Sequence, residues 1–115
     1  MEILVHSHNV VLPPHGSADI ATRIRFLFGR LAANVSRLHI TLKDVNGPRG
    51  GRDKVCVIRA ELAGGGQIVV QDRSVRMRQS IGRGLRRARA MVSEQVRRRR
   101  EKRRLPRRQP ASLTA

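Results

Sequence analysis

Arginine is the residue type in this sequence with the most chemistry to offer: 22 of the 25 lysine-plus-arginine cations are arginines, against 8 aspartates and glutamates. A guanidinium stays charged at any working pH, and its planar fork of N–H donors matches the oxygens of a phosphate. Arg23 and Arg30 in the first half, and Arg76, Arg83, Arg86, Arg87, Arg97 and Arg98 in the second, recur at helical spacings, while Arg49 and Arg52 sit in a glycine-rich segment. Together they are the candidate nucleic-acid contacts. A solvated helix face is the alternative, but such a face normally mixes signs. Between Arg73 and Arg97 the single anion is Glu94. For Arg49 and Arg52, a plain flexible hairpin is an equally good reading.

Other chemistries are poorly served. His6 and His8 face the same way on one strand, but no carboxylate or thiol cluster at suitable spacing joins them, so exposed polar residues are expected there and no metal. Cys56, the sole cysteine, alternates with Ile58 on an apolar side and reads as an inert core residue. A lone cysteine also excludes an internal disulfide and fits a reducing compartment, with the cytoplasm as default. No nucleophile, base and orienting residue occur together in a recognisable pattern. The glycine-rich segment lacks the Gly-Lys-Ser/Thr ending of a nucleotide-binding loop. We therefore expect a non-enzyme with no cofactor and no small-molecule substrate.

At 115 residues the chain suits one domain with one core. Its formal charge of +17 and pI near 12.0 call for a polyanionic partner, whether RNA, DNA or an acidic membrane surface; charge alone does not rank the three. The charge is uneven: Met1 to Asp72 holds 9 cations and 6 anions, Arg73 to Ala115 holds 16 and 2. No apolar stretch approaches the roughly 18 residues of a membrane span, and no basic region precedes the short apolar N-terminal run. Neither a span nor a signal peptide is expected. With only Phe26 and Phe28 as aromatics, base-by-base reading is disfavoured. Phe26 shares a helix flank with Arg23 and Arg30, where it is expected to pack against the sheet edge or a tail rather than stack on a base.

These side chains need elements to position them. Alternation predicts a strand from Glu2 to Leu12, ended by Pro13, Pro14 and Gly16. Ser17 as cap and Asp19 in the first turn then predict a helix to about Ala33, whose buried stripe is Ile20, Ile24, Leu27 and Leu31. Strands follow over Arg37 to Val45 and Lys54 to Leu62, joined by Asn46 to Arg52, a mobile basic loop too long for a tight hairpin. After a turn at Ala63 to Gly66 comes a short strand, Gln67 to Gln71. Met77, Ile81, Leu85, Ala88, Val92 and Val96 mark a long second helix, with local weakness expected at Gly82 and Gly84, or a close approach of Gly84 to the sheet. Arg99 falls in that apolar stripe, so docking is expected to stop near Val96 to Arg98. Arginine runs with Pro106 and Pro110 make the tail beyond a candidate for disorder. The expected fold is α+β, β-α-β-β-β-α, with both helices on one face of a four-stranded sheet. Its open face would carry His6, His8, His39, Lys43 and Arg59 into solvent.

That element order, with Leu38-His-Ile-Thr-Leu-Lys-Asp-Val-Asn46, the Gly-Pro-Arg-Gly-Gly loop, Asp53-Lys54-Val-Cys56 and the helix beginning near Ser74, resembles the short form of the ribosome hibernation promoting factor and ribosome-associated inhibitor family, also called sigma-54 modulation protein-like. The resemblance covers about residues 1–98. It implies a fold similar to a double-stranded RNA-binding domain. It also implies binding to ribosomal RNA of the small subunit, in the channel of messenger and transfer RNA, blocking translation in stressed or resting bacteria. Arg30, Arg87 and Arg98 match positions commonly basic in that family, whereas Leu27, Ala90 and Glu94 stand where relatives often carry a cation. Arg83 and Arg86 occupy positions that are often not basic. The expectation is a body over 1–98 that binds the small ribosomal subunit, monomeric when free and without membrane contact, followed by a basic disordered tail over 99–115. The other reading is a protein that coats RNA or DNA nonspecifically through that arginine-rich tail.

Overall fold

A computed structural model describes residues 1–45 and 53–104. In chain order they form β1 (Glu2–His8), α1 (Gly16–Phe28), a 3-10 helix (Gly29–Asn34), β2 (Val35–Asp44), β3 (Lys54–Leu62), β4 (Gln67–Ser74) and α2 (Met77–Arg104). This is the expected β-α-β-β-β-α fold, with a four-stranded sheet in the order β1-β2-β3-β4. β1 runs parallel to β2, with Ile3 beside Leu38 and Val5 beside Ile40. A parallel pair requires a crossover, which α1 and the 3-10 helix supply. The pairs β2–β3 and β3–β4 are antiparallel.

Period-two alternation puts Leu38, Ile40 and Leu42 of β2, Cys56, Ile58 and Ala60 of β3, and Ile68 and Val70 of β4 into one core. Ile24 and Phe28 of α1 and Ile81, Leu85, Ala88 and Val92 of α2 close over it, so both helices cover the same face. Burying each large side chain of this kind is worth about 1.5–3 kcal/mol. α2 comes close to the sheet at Gly84, where a Cβ would lie 3.1 Å from Ile58 Cδ1 and 3.6 Å from Cys56 Sγ. The glycine costs about 1 kcal/mol of helix propensity and leaves room for that contact.

Several boundaries differ from the sequence reading, each for a local reason. β1 ends at His8, because Asn9 turns into the left-handed region at φ 57°. α1 has no side-chain cap at Ser17; it starts at Gly16, whose N–H bonds to the Pro13 carbonyl at 2.8 Å. It stops at Phe28 instead of about Ala33, because Gly29 takes φ +52°, a value other residues rarely adopt, and the chain continues as 3-10 helix. β4 reaches Ser74, since Arg73 and Ser74 pair with Val55 and Lys54. α2 is helical through Arg104, so residues 99–104 continue the second helix. The rest of the expected tail, 105–115, and the loop 46–52 lie outside the described residues.

Candidate nucleic-acid interface

The apolar stripe of α2 faces the sheet, which turns its arginines outward along the helix. Near the start of α2 they meet α1. Arg23, Arg76, Arg78, Gln79, Gly82, Arg83 and Arg86 line an open cleft of about 310 Å³, with no carboxylate among these lining residues. Gly82 is its floor: a Cβ there would stand 3.1 Å from the Arg23 guanidinium and 3.8 Å from that of Arg86. Absence of a side chain at 82 thus lets Arg23 reach across from α1. Arg78, Gly82 and Arg86 are spaced by four, so they share one helix face. That spacing was the available signal for Arg78, which the sequence reading passed over.

Other arginines are tied to the protein itself. Arg83 donates to Asp72 Oδ1 at 3.0 Å and to the Arg73 carbonyl at 2.9 Å, and Arg87 donates to the Gln71 carbonyl at 3.0 Å. Both brace β4, an edge strand whose outer carbonyls need partners. Asp72 is fixed in turn through its backbone, whose carbonyl accepts a 2.8 Å bond from buried Ser80. Arg89, also missed from sequence, donates to the Leu27 carbonyl at 2.9 Å and so links α2 to the end of α1.

The C-terminal turns of α2 differ in kind. Arg97 bonds Glu94 and Glu101, each at 2.6 Å, and Arg98 bonds Glu94 at 3.1 Å. The Arg97 hydrogen bond holds the Glu94 carboxyl below its ordinary range, with Arg98 adding to it, and the same pair raises Arg97. Apolar docking of α2 ends at Val96, as expected; Arg99, next in the stripe, lies against the β3–β4 turn and donates to the Gly65 carbonyl. Its position in the apolar stripe aims it at that turn, a partner that helical periodicity alone could not reveal.

Of the sequence candidates, the structure thus gathers Arg23, Arg76, Arg83 and Arg86 at one cleft. Arg87 lies along the same helix against β4, and Arg97 and Arg98 lie farther on, engaged by glutamates. Arg30 is exposed but follows the break at Gly29, so it leaves the regular flank of α1. Arg49 and Arg52 lie outside the described residues. Phe26 is 89% exposed and so is not packed against the sheet edge as expected; residues 105–115 of the tail lie outside the described residues.

The open sheet face is partly neutralised. His39 bonds Glu61 at 2.7 Å and stacks with His6 at a ring separation of 6.2 Å, while Arg37 bonds Glu2 at 2.8 Å. The His39 bond, with the Arg37 charge behind it, keeps the Glu61 carboxyl below its ordinary range. His39 and Lys43 are half-buried rather than solvent-exposed as expected, whereas His6, His8 and Arg59 are exposed. Cys56 is fully buried, and burial pushes its thiol up to about 12, which removes it as a nucleophile at neutral pH. Among the described residues no group of three metal-ligating side chains is placed to hold an ion, and no helix is long and apolar enough to cross a membrane.

No protein-family model and no curated protein sequence matches the chain. Solved structures do. A ribosomal subunit interface protein from Coxiella burnetii superposes with a TM-score of 0.66 at 17% identity, over 82% of this chain and 96% of the other. The N-terminal domain of Protein Y from Thermus thermophilus gives a TM-score of 0.64, also at 17% identity, over 82% and 98%. The sheet-and-two-helix body that carries the arginine cleft is therefore the fold of these two proteins, as the sequence resemblance to the hibernation factors implied.

Proposed function

We propose that this chain is a ribosome-associated translation inhibitor that binds ribosomal RNA of the small subunit and occludes the channel of messenger and transfer RNA. The observation that carries the reading is the convergence of Arg23, Arg76, Arg78 and Arg86 on a cleft without a lining carboxylate. Arg83 of the same lining is paired with Asp72, but the clustered guanidiniums beside it carry no ion pair among the described residues and favour phosphate oxygens as ligands, and the surrounding rigid fold selects among phosphates by shape. The fold shared with a ribosomal subunit interface protein points to a ribosomal partner. Binding performs the work, with no catalytic step, in the cytoplasm and with the free protein monomeric. The 1–98 body would form the binding unit, and the basic segment over 99–115 would add affinity.

Co-sedimentation with isolated small subunits across a salt series tests this. If about 6 phosphates are neutralised, the slope of log affinity against log salt is about −4 to −5, and messenger plus initiator transfer RNA should displace the protein. A flat salt response, or no competition, overturns the reading. Removing residues 99–115 should weaken attachment and preserve the competition; loss of nearly all binding would favour nonspecific coating through the tail.

A further inference from the structure

Phe26 is 89% exposed on α1, although large aromatic side chains are normally at least half covered. Its surroundings are cationic. Arg23 lies one turn earlier on the same helix and reaches into the cleft over Gly82. Arg89 of α2 brings a second guanidinium to the carbonyl of Leu27, the next residue. An exposed phenyl ring on a helix that also carries Arg23 and Arg25 offers little to a second copy of so basic a chain, and much to a polyanion with flat apolar rings.

Resting on the phosphate-binding reading above, we propose that Phe26 is a stacking platform for an unpaired nucleobase, and that the α1–α2 face takes a single-stranded or splayed RNA segment. The cleft holds a phosphate through Arg23, Arg76, Arg78 and Arg86. Phe26 stands about 4.5 Å further along the helix axis than Arg23, within reach of the base that follows that phosphate. Stacking needs only a π-face, so the platform accepts any base and discriminates against paired ones. It supplies the base contact that a chain without tyrosine or tryptophan would otherwise lack.

The test uses the full chain as parent, Phe26→Ala and Phe26→Trp, the last introducing the sole tryptophan. Each is titrated with a short unstructured RNA, the same strand in a duplex, and an abasic strand of equal length. Phe26→Ala should bind the unstructured RNA about 5- to 100-fold more weakly, with an unchanged salt slope and unchanged binding to the abasic strand. The indole emission of Phe26→Trp should be that of an exposed ring in the free chain and be quenched by the RNA with bases, not by the abasic one. Equal binding by the parent and Phe26→Ala, both salt-dependent, overturns the platform and leaves the phosphate site standing. Failure of the parent to bind any of the RNAs overturns both. A buried-type indole emission from free Phe26→Trp means that protein covers the ring: dependence on concentration indicates a second copy, independence a segment of the same chain, and either overturns the proposal.

Discussion

The two ends of α2 are both arginine-rich and use the residue in opposite ways. Near its start, Arg78 and Arg86 join Arg23 and Arg76 around a cleft whose lining includes no acid. Toward its end, Arg97 and Arg98 are held by Glu94 and Glu101, and Arg99 by the β3–β4 turn. A stretch in which several cations meet a second helix leaves donors facing outward, whereas glutamates three or four residues away convert cations into helix support. Cation density along a sequence is thus a poor measure of anion-binding capacity. What counts is the density of cations without internal partners.

The largest expected effect separates the two ends directly. Replacing Arg23, Arg76 and Arg86 with glutamine should weaken small-subunit attachment by about 10- to 100-fold and make the salt slope shallower by about 2 to 3. The pair Arg97→Gln, Arg98→Gln should cost less than about 5-fold, because those guanidiniums are already engaged and exposed pairs are weak. Co-sedimentation across salt concentrations reads both. Equal losses would erase the distinction.

A second contrast lies between the two glycines of α2. Gly84→Leu drives a side chain into Ile58 and Cys56 and should destabilise the fold by about 1–3 kcal/mol, seen in thermal unfolding. Gly82→Ala meets only the movable ends of arginine side chains within 4 Å, so stability should rise by up to about 1 kcal/mol through helix propensity. RNA affinity should nevertheless fall as Arg23 is displaced. If Gly82→Ala leaves affinity untouched, the floor of the cleft has been misassigned.

The smallest effect sharpens the comparison from the acid side. Glu94→Gln frees Arg98 and leaves Arg97 with Glu101, and should raise affinity about 2-fold, the worth of an exposed ion pair. Because the folded protein holds the Glu94 carboxyl below its ordinary range, its contribution to helix stability is present above about pH 4.3 and lost as pH falls through the lowered value. Circular dichroism during acid titration should show loss of helical signal in that window for the parent and a smaller change for Glu94→Gln.

Much of the architecture was legible because it is local. Alternation in Leu38, Ile40 and Leu42 and in Cys56, Ile58 and Ala60 marked the core face of the sheet, and the stripe from Ile81 to Val92 marked the docked face of α2; all are buried. Boundaries were less legible where one backbone angle decides them, as at Asn9 and Gly29. Four of the five cleft arginines were visible as arginine at helical spacing. Arg78 and Arg89 could have been found from spacing, but the partner of Arg99 could not, since a turn more than thirty residues away supplies it.

Composition and periodicity by themselves determined a cationic α+β body with one apolar face per element, because solvent exposure and hydrogen bonding repeat along each helix and strand. Only the tertiary structure decided which arginines share a ligand. That depends on α1 and α2 coming together at Gly82 and on which carboxylates and carbonyls claim the remaining guanidiniums, contacts between residues far apart in the chain. Exposure of Phe26 was decided in the same way, since a ring on a helix flank is covered or bare according to what packs beside it.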